Sequence, residues 1–293
     1  MLGVSGGLRR AVWITIGAAI MWGLWWWPLR WLTGHALGVM ATSTLVYGAG
    51  ALVLLPFVMH CRGAFRSGGL ALRCSAILFA LTLVSWNLAL IWGQVARVTL
   101  LFYLSPVWAV LLAYWLLGQV PDRGRVMAIF LGVGGAVVLF AGPALFGDIG
   151  PFTKGDWLGM AAGFLFAASI VSAQKFSGKV AAVPQAFAAL VLAAVISGLL
   201  GGGASLWMQP PSGVILLGAL GIAAVIMVPG IVMLLHGGNH LEPSRVTLLL
   251  LLEVPVAAIS AALLADEPLN FLHAVAGAMI VLAAILESRT ARI

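Results

Sequence analysis

The sequence predicts an all-α integral membrane protein with ten transmembrane helices, arranged as two inverted five-helix repeats around a central cavity. Three observations predict this fold class. Of the 293 residues, 63% are hydrophobic and 8% are charged, whereas a soluble domain carries about 25% charged residues. Apolar stretches recur at roughly the 20-residue length that one helix needs to cross a bilayer. A motif that begins at Arg97 is also repeated at Arg245.

Ten apolar segments lie between charged or Gly/Pro-rich breaks, and they are numbered here 1 to 10 along the chain. They cover about residues 11–31, 38–59, 70–93, 98–117, 125–142, 156–176, 184–201, 213–236, 244–264 and 269–287. Most of the connections between them are short, and the longest lies near the midpoint of the chain. We therefore expect one membrane helix per segment.

The distribution of Lys and Arg predicts the orientation, because these residues accumulate on the cytoplasmic side of a membrane. With the N-terminus inside, only Arg30, Arg97 and Lys154 of the 15 basic residues lie outside. We expect both termini in the cytoplasm and the chain in a bacterial-type inner (plasma) membrane. The net charge of +7 does not predict nucleic-acid binding, since the basic residues are scattered over the segment ends.

Segments 4 and 9 carry the repeated motif. RVTLLFYLSPVWAVLLAYWLLGQVP begins at Arg97, and RVTLLLLLEVPVAAISAALLADEPL begins at Arg245. A proline interrupts each apolar run near its middle, Pro106 in the first copy and Pro255 in the second. Proline lacks the N–H that a helix interior needs, so we expect both residues to act as hinges.

The repeat divides the chain into a first five-helix unit over residues 11–142, a linker over 143–155 and a second unit over 156–288. Five is an odd number, so the second unit enters the membrane in the opposite sense to the first. Inverted repeats of this kind are common in secondary transporters, whose substrates bind near the midplane at interrupted helices in matching positions. Duplication within a channel or a membrane enzyme is the alternative.

The residues of segments 1, 4 and 9 resemble a known family. The Trp22-Gly23 pair, LSPVWAVLLAYWLLGQ and LLLEVPVAAISAALLADE are similar to EamA-type members of the drug/metabolite transporter superfamily. The resemblance implies a ten-helix exporter of small metabolites, and the Trp-rich first segment is most like the aromatic amino acid exporter branch. An acidic residue follows the helix in this family; Glu267 matches it, whereas Gln119 departs from it.

Glu253 is the acidic residue at bilayer depth, while the other seven acids lie at segment ends or in loops. An ionisable group inside a membrane costs about 2.5–3.5 kcal/mol on insertion scales and is a functional hypothesis by default. The hypothesis is that Glu253 faces the cavity and binds a substrate amine or a proton. The alternative is structural, in which protonated Glu253 binds backbone groups that Pro255 leaves free.

Tryptophans supply candidate walls for the cavity. Trp22 and Trp26 are four residues apart and share one face of an uninterrupted helix, so they are candidates to contact a flat or apolar substrate. Packing against other helices is the alternative. We interpret Trp25, Trp27 and Trp31 as an interfacial aromatic belt.

Polar and aromatic residues on segments 3, 4 and 6 complete the candidate cavity. A zwitterionic ligand needs a few hydrogen-bonding groups within an apolar pocket. Each of these residues taken alone is as well explained by hydrogen bonds between helices. The candidates on these segments are Trp86, Asn87, Gln94, Thr99, Tyr103, Ser169 and Ser172.

The sequence thus predicts a secondary transporter that exports small amphipathic metabolites, with aromatic or neutral amino acids as the expected cargo, by alternating access. Broad export of apolar drugs is the alternative, followed by a membrane-embedded lipid enzyme or a channel. HExxH is not present, and no P-loop indicates ATP binding. His236 and His240 are expected in a loop without a third metal ligand. We expect no cofactor and no metal, and a monomer or weak dimer in the lipid bilayer.

Overall fold

The computed structural model describes residues 2–33, 37–141, 151–176, 180–265 and 271–290, and within these ranges it is helical without strands. A helix or pair of helices lies at each of the ten apolar segments. In chain order the helices are α1 (Leu2–Gly23), α2 (Trp26–Thr33), α3 (Val39–His60), α4 (Arg62–Trp92), α5 (Val95–Phe102), α6 (Ser105–Leu117), α7 (Arg123–Ala141), α8 (Lys154–Lys175), α9 (Ala182–Ser197), α10 (Gly203–Met208), α11 (Gly213–Ile222), α12 (Val228–His240), α13 (Pro243–Leu250), α14 (Glu253–Leu264) and α15 (Phe271–Thr290).

Eight helical spans among the described residues are long and apolar enough to cross a membrane, so the chain is a multi-pass membrane protein. They correspond to segments 1–4 and 6–9. Helix α7 occupies the place of segment 5, and α15, with its apolar stretch Phe271–Leu286, occupies the place of segment 10. The eight spans are Gly6–Leu32, Val39–His60, Ser67–Trp92, Arg97–Leu117, Lys154–Lys175, Ala182–Met208, Gly213–His240 and Pro243–Leu264.

Segments 4 and 9 are each interrupted near the middle, which confirms the interruptions that the two prolines predict. Helix α5 ends before Tyr103 and α6 begins at Ser105, with Pro106 in its first turn. Helix α13 ends at Leu250, and α14 begins two residues before Pro255. Proline fits the first turn of a helix because the N–H groups there have no partner within the helix.

Segment 1 is also interrupted, which corrects the continuous helix expected over residues 11–31. Helix α1 ends at Gly23 and α2 begins at Trp26. Pro28 has no N–H to donate to the Leu24 carbonyl, which instead accepts from the Trp27 N–H at 3.3 Å. Trp22 and Trp26 therefore lie on two different helices, so the i, i+4 spacing within one helix no longer places them on a shared face.

Helices from the two halves of the chain pack against one another in pairs. Helix α1 packs on α12, and α4 packs on α8. Helix α3 lies against α9, while α7 lies against α15. The interrupted segments pack on two of these helices. Helices α5 and α6 contact α8, and α13 and α14 contact α1. Every one of these contacts joins the first half of the chain to the second.

Close approach between segments 4 and 6 depends on a glycine of α8. A Cβ placed on Gly163 would lie 2.6 Å from the carbonyl oxygen of Phe102. Phe102 is the last residue of α5, directly before the interruption. Helix α8 thus lies directly on the backbone at the end of α5 and holds that end in place.

Candidate functional site

The interruptions of segments 4 and 9 meet through one hydrogen bond. The Tyr103 hydroxyl donates to Oε1 of Glu253 at 2.7 Å, although the two residues are 150 positions apart in sequence. Tyr103 lies between α5 and α6, and Glu253 is the first residue of α14. Two side chains named from the sequence as cavity residues are therefore in direct contact. The pair is the centre of the candidate site.

Segment 1 lies against the same interruption. A Cβ placed on Gly23 would lie 2.7 Å from the backbone carbonyl oxygen of Glu253. Three residues further on, Trp26 Nε1 donates to the Ser260 hydroxyl at 2.9 Å. The end of α1 and the start of α2 are thus both joined to α14. Tryptophan side chains here contact the helix that carries Glu253.

Trp22 presents a polar atom without a partner. Its indole packs edge-on against Trp25, with 6.1 Å between ring centroids. Its Nε1 is buried and has no hydrogen-bond partner among the described residues. A buried donor left unpaired costs free energy comparable to a lost hydrogen bond. This atom lies against α12, where a Cβ placed on Gly230 would be 3.7 Å from it.

An aromatic cluster lies beside Tyr103. The ring of Phe102 lies 5.8 Å from that of Tyr103 and 4.9 Å from that of Trp86. It also stacks on Phe166 of α8 at 5.8 Å, with an interplanar angle of 24°. Trp86 and Phe102 are half-buried, whereas Phe166 is fully buried. This cluster joins segments 3, 4 and 6 beside the Tyr103–Glu253 pair.

Asn87 faces segment 2. Its side-chain amide donates to the Ser43 hydroxyl at 2.7 Å and to the Tyr47 hydroxyl at 2.8 Å. Sequence reasoning missed both acceptors, which lie four residues apart on α3 and so share one face of that helix. The only signal for them was this spacing, and the hydroxyls of Thr42 and Thr44 beside Ser43 obscure it. Asn87 thereby joins segments 2 and 3.

The remaining polar candidates lie apart from the pair or are bonded within their own helix. The hydroxyl of Ser169 donates to the Phe166 carbonyl at 2.7 Å, and that of Ser172 to the Ser169 carbonyl at 2.9 Å. Gln94 is exposed in the link between α4 and α5, and Thr99 is buried within α5. Hydroxyls bonded to a carbonyl three residues earlier are a local feature of helices.

Ion pairs connect the starts of helices from the two halves of the chain. Arg97 on α5 donates from Nε to Oδ1 of Asp156 at 2.8 Å, and Asp156 is completely buried. The second carboxylate oxygen of Asp156 accepts from the Thr153 N–H at 2.6 Å. On other helices, Arg125 at the start of α7 pairs with Glu242, which precedes α13. Each ion pair connects a residue of the first half of the chain to one of the second.

His236 and His240 do not form a loop, which corrects that expectation. Both lie in the last turn of α12, where their rings stack with centroids 4.2 Å apart. The helix continues to His240 because the glycines between them fit against Thr15 and Ile170 of neighbouring helices. Among the described residues, no group of three His, Cys, Asp or Glu side chains is placed to hold a metal ion.

Comparison with known proteins relates the chain to transporters. The sequence pattern of the EamA-like transporter family matches residues 9–141 and again residues 153–289. A relative described as a probable terminal-alkyne amino-acid exporter, from Streptantibioticus cattleyicolor, is 26% identical over 147 residues. That match covers 47% of this chain and 49% of the relative, so the chain spans about half the length of the curated relative it matches. A protein of known crystal structure is 20% identical, with a TM-score of 0.75 over 97% of this chain and 98% of that one.

Proposed function

The chain belongs to the EamA-like transporter family, and we propose that it is a secondary exporter of small amphipathic metabolites, with aromatic or neutral amino acids as its cargo. The single observation that carries this proposal is the Tyr103–Glu253 hydrogen bond, which lies where two interrupted helices meet. Secondary transporters bind substrate at such interruptions near the midplane. The described relative of Streptantibioticus cattleyicolor, an amino-acid exporter by its description, supports the cargo class.

The proposed architecture has ten crossings in two inverted repeats, over residues 11–142 and 156–288 with a linker at 143–155. The two matches to the family pattern fall on these two units. Helix contacts support a two-fold relation that exchanges segments 1–5 with segments 6–10. Packing of α4 on α8 then corresponds to packing of α12 on α1, and contact of α6 with α8 corresponds to contact of α14 with α1.

In the proposed site, Glu253 accepts hydrogen bonds from the ammonium group of an amino acid. The Tyr103 hydroxyl holds the Glu253 carboxyl in place from segment 4. The unpaired Nε1 of Trp22 is available as a donor to the substrate carboxylate. Trp86 and Phe102 are suited to contact an aromatic or apolar side chain through their rings. An ammonium acceptor, a carboxylate donor and an apolar wall together favour a neutral amino acid.

Alternating access follows from where segments 4 and 9 are interrupted. A proline in the first turn has no N–H to donate to the helix half that precedes it. Fewer hydrogen bonds therefore join the two halves, and these can change their relative angle at Pro106 and Pro255. The ion pairs Arg97–Asp156 and Arg125–Glu242 connect the two proposed repeats. We propose that these pairs separate and re-form as the cavity opens to one side and then to the other.

The proposed orientation places both termini in the cytoplasm of a bacterial-type inner (plasma) membrane. In this orientation most of the basic residues lie in links and termini on the cytoplasmic side, which supports it. In this orientation the substrate leaves toward the side on which Arg97 and Asp156 lie. Export of a metabolite made in the cell is consistent with that direction.

Counterflow into proteoliposomes tests the proposed function. Vesicles that contain the full-length protein are loaded with unlabelled phenylalanine, and accumulation of external labelled phenylalanine is measured. We expect accumulation, competition by other neutral amino acids, and its loss in the Glu253→Gln variant. Asp122→Asn is the matched control, because Asp122 is exposed, and asparagine retains the oxygen that accepts from the Arg125 N–H. If apolar cations compete and no amino acid does, the chain exports apolar drugs instead.

A further inference from the structure

A groove opens between the start of α4 and helix α9. Its volume is about 590 Å³, and neither Tyr103 nor Glu253 contributes to its lining. Most of the lining is apolar, with Leu72 and Ile77 from α4 and Leu192 from α9, while Arg73 is the charged residue among the described lining residues. An apolar groove that carries a cation is suited to an amphiphile with a negative charge.

The groove is formed by a bend in α4. Gly69 has φ of 49° and ψ of −135°, a left-handed region that side chains larger than hydrogen disfavour. The bend separates residues 62–68 from the rest of α4. Phe65 in this stretch packs edge-on against Phe187 of α9, with 6.2 Å between ring centroids. The stretch thus reaches across to α9, and Phe65 lines the groove.

Charge in this part of the chain is entirely basic. Arg62, Arg66 and Arg73 lie within the first turns of α4, and residues 1–121 contain no Asp or Glu. The Arg73 side chain is exposed and makes no hydrogen bond or ion pair with another described residue. Arginines beside a membrane are attracted to anionic lipids, at about 1 kcal/mol per residue.

The link between segments 7 and 8, at the matching position in the second half of the chain, lacks this charge. Helix α10 there exposes Trp207 and Met208, at 89% and 81% of their surface, and residues 198–212 contain no charged residue. A stretch at the membrane surface can therefore be built in this fold without arginines. Contact with the membrane alone does not require the basic residues beside the groove.

We propose that this groove binds one acyl chain of an anionic phospholipid, with the lipid phosphate on the guanidinium of Arg73. The apolar lining accepts the chain, and the exposed side chain of Arg73 reaches the headgroup while its methylene groups remain along the groove. The site is separate from the transport site and is independent of the cargo proposed above.

Native mass spectrometry of the purified full-length protein tests the site. The protein is incubated with phosphatidylglycerol or phosphatidylcholine, and the lipid that it retains is counted. We expect retention of phosphatidylglycerol in preference to phosphatidylcholine, and about fivefold weaker retention in Arg73→Gln, the factor that corresponds to one surface arginine. Arg123→Gln is the matched control, because Arg123 is an exposed arginine at the start of α7 that does not line the groove.

A second variant tests the groove rather than the charge. Ala188 lines the groove on α9, so Ala188→Phe fills it and is expected to lower retention of phosphatidylglycerol. Ala278→Phe adds the same ring at an exposed position of α15 and is expected to retain the lipid. Equal retention by Arg73→Gln and Arg123→Gln would overturn the proposal. Displacement of the lipid by millimolar inorganic phosphate would also overturn it, since the acyl chain would then contribute nothing.

Discussion

Trp26 donates from its indole Nε1 to the hydroxyl of Ser260 at 2.9 Å. The bond joins α2, the part of segment 1 beyond its interruption, to α14, the part of segment 9 beyond its own. Ser260 also donates to the Ala257 carbonyl at 3.0 Å, so it is fixed within its own helix. Two half-helices that follow interruptions are thereby held together by one side-chain contact.

The first prediction is that Trp26→Phe destabilises the protein by about 0.5–1.5 kcal/mol, the usual net contribution of one hydrogen bond. The variant keeps an aromatic ring and removes the donor, while Ser260 keeps its bond to the Ala257 carbonyl. Thermal unfolding in detergent measures the effect. Trp27→Phe is the control, because the Trp27 side chain is 57% exposed. Equal midpoints for the two variants would show that the Trp26–Ser260 bond contributes no stability.

The second prediction concerns the Tyr103–Glu253 pair. Tyr103→Phe removes the hydroxyl that donates to Glu253, and Glu253→Gln removes the charge but keeps an acceptor. Residues in direct contact usually show a coupling energy of about 0.5–3 kcal/mol in a double-mutant cycle. We expect a coupling in this range when the free energies of unfolding of the two single variants and the double variant are compared in detergent. Strictly additive losses would mean that Tyr103 and Glu253 stabilise the fold independently.

Tyr103 and Glu253 show how far the sequence predicts this site. Pro106 and Pro255 mark where the interruptions fall, because a missing N–H acts on its own helix. A proline alone is not sufficient, since Pro56 lies inside the continuous helix α3. That Tyr103 contacts Glu253 depends on how segments 4 and 9 pack, which no local pattern contains. Both residues are nevertheless recognisable as candidates from their polarity at bilayer depth.

The sequence analysis missed other features for different reasons. The sequence analysis does not predict the interruption of segment 1 although Pro28 is visible, because it treats Trp22 and Trp26 as residues of one continuous helix. Ser43 and Tyr47 were missed because a hydroxyl on an apolar helix can bond within its own helix, as the Ser43 hydroxyl does to the Val39 carbonyl at 2.6 Å. Their role arises from Asn87 on a neighbouring helix, so it becomes evident only once the two helices are packed together.

The third prediction is that Gly163→Ala strongly destabilises the fold. Its new Cβ would lie 2.6 Å from the carbonyl oxygen of Phe102, so α8 has to move away from α5, and the stacking of Phe102 on Phe166 is disturbed. Such overpacking costs about 1–3 kcal/mol. Gly221→Ala is the control, since nothing lies within 4 Å of a Cβ there, and alanine favours a helix. Unfolding midpoints measure both, and a neutral Gly163→Ala would contradict the close approach.

The fourth prediction is that Asp156→Asn lowers stability by about 1.5–3 kcal/mol, the contribution of hydrogen bonds to a charged group. Asp156 is completely buried and accepts from both Arg97 and the Thr153 N–H. Asparagine keeps one acceptor for the Thr153 N–H but removes the charge opposite Arg97. Adding Arg97→Gln to this variant should cost less than Arg97→Gln does alone, because the pair is already broken. Denaturant unfolding of the two single variants and the double variant measures the difference.

The fifth prediction tests the orientation of the chain. In the proposed topology, the link between segments 2 and 3 lies inside, and the link between segments 7 and 8 lies outside. Cys61 is exposed in the first link, and Gln209 is exposed in the second. In a Cys74→Ser background, we expect a membrane-impermeant maleimide to label Cys61 only after the cells are permeabilised. With Cys61→Ser added, Gln209→Cys should be labelled in intact cells, since it faces the opposite side. Labelling of both thiols in intact cells would place the two links on one side, which an odd number of crossings between them does not allow.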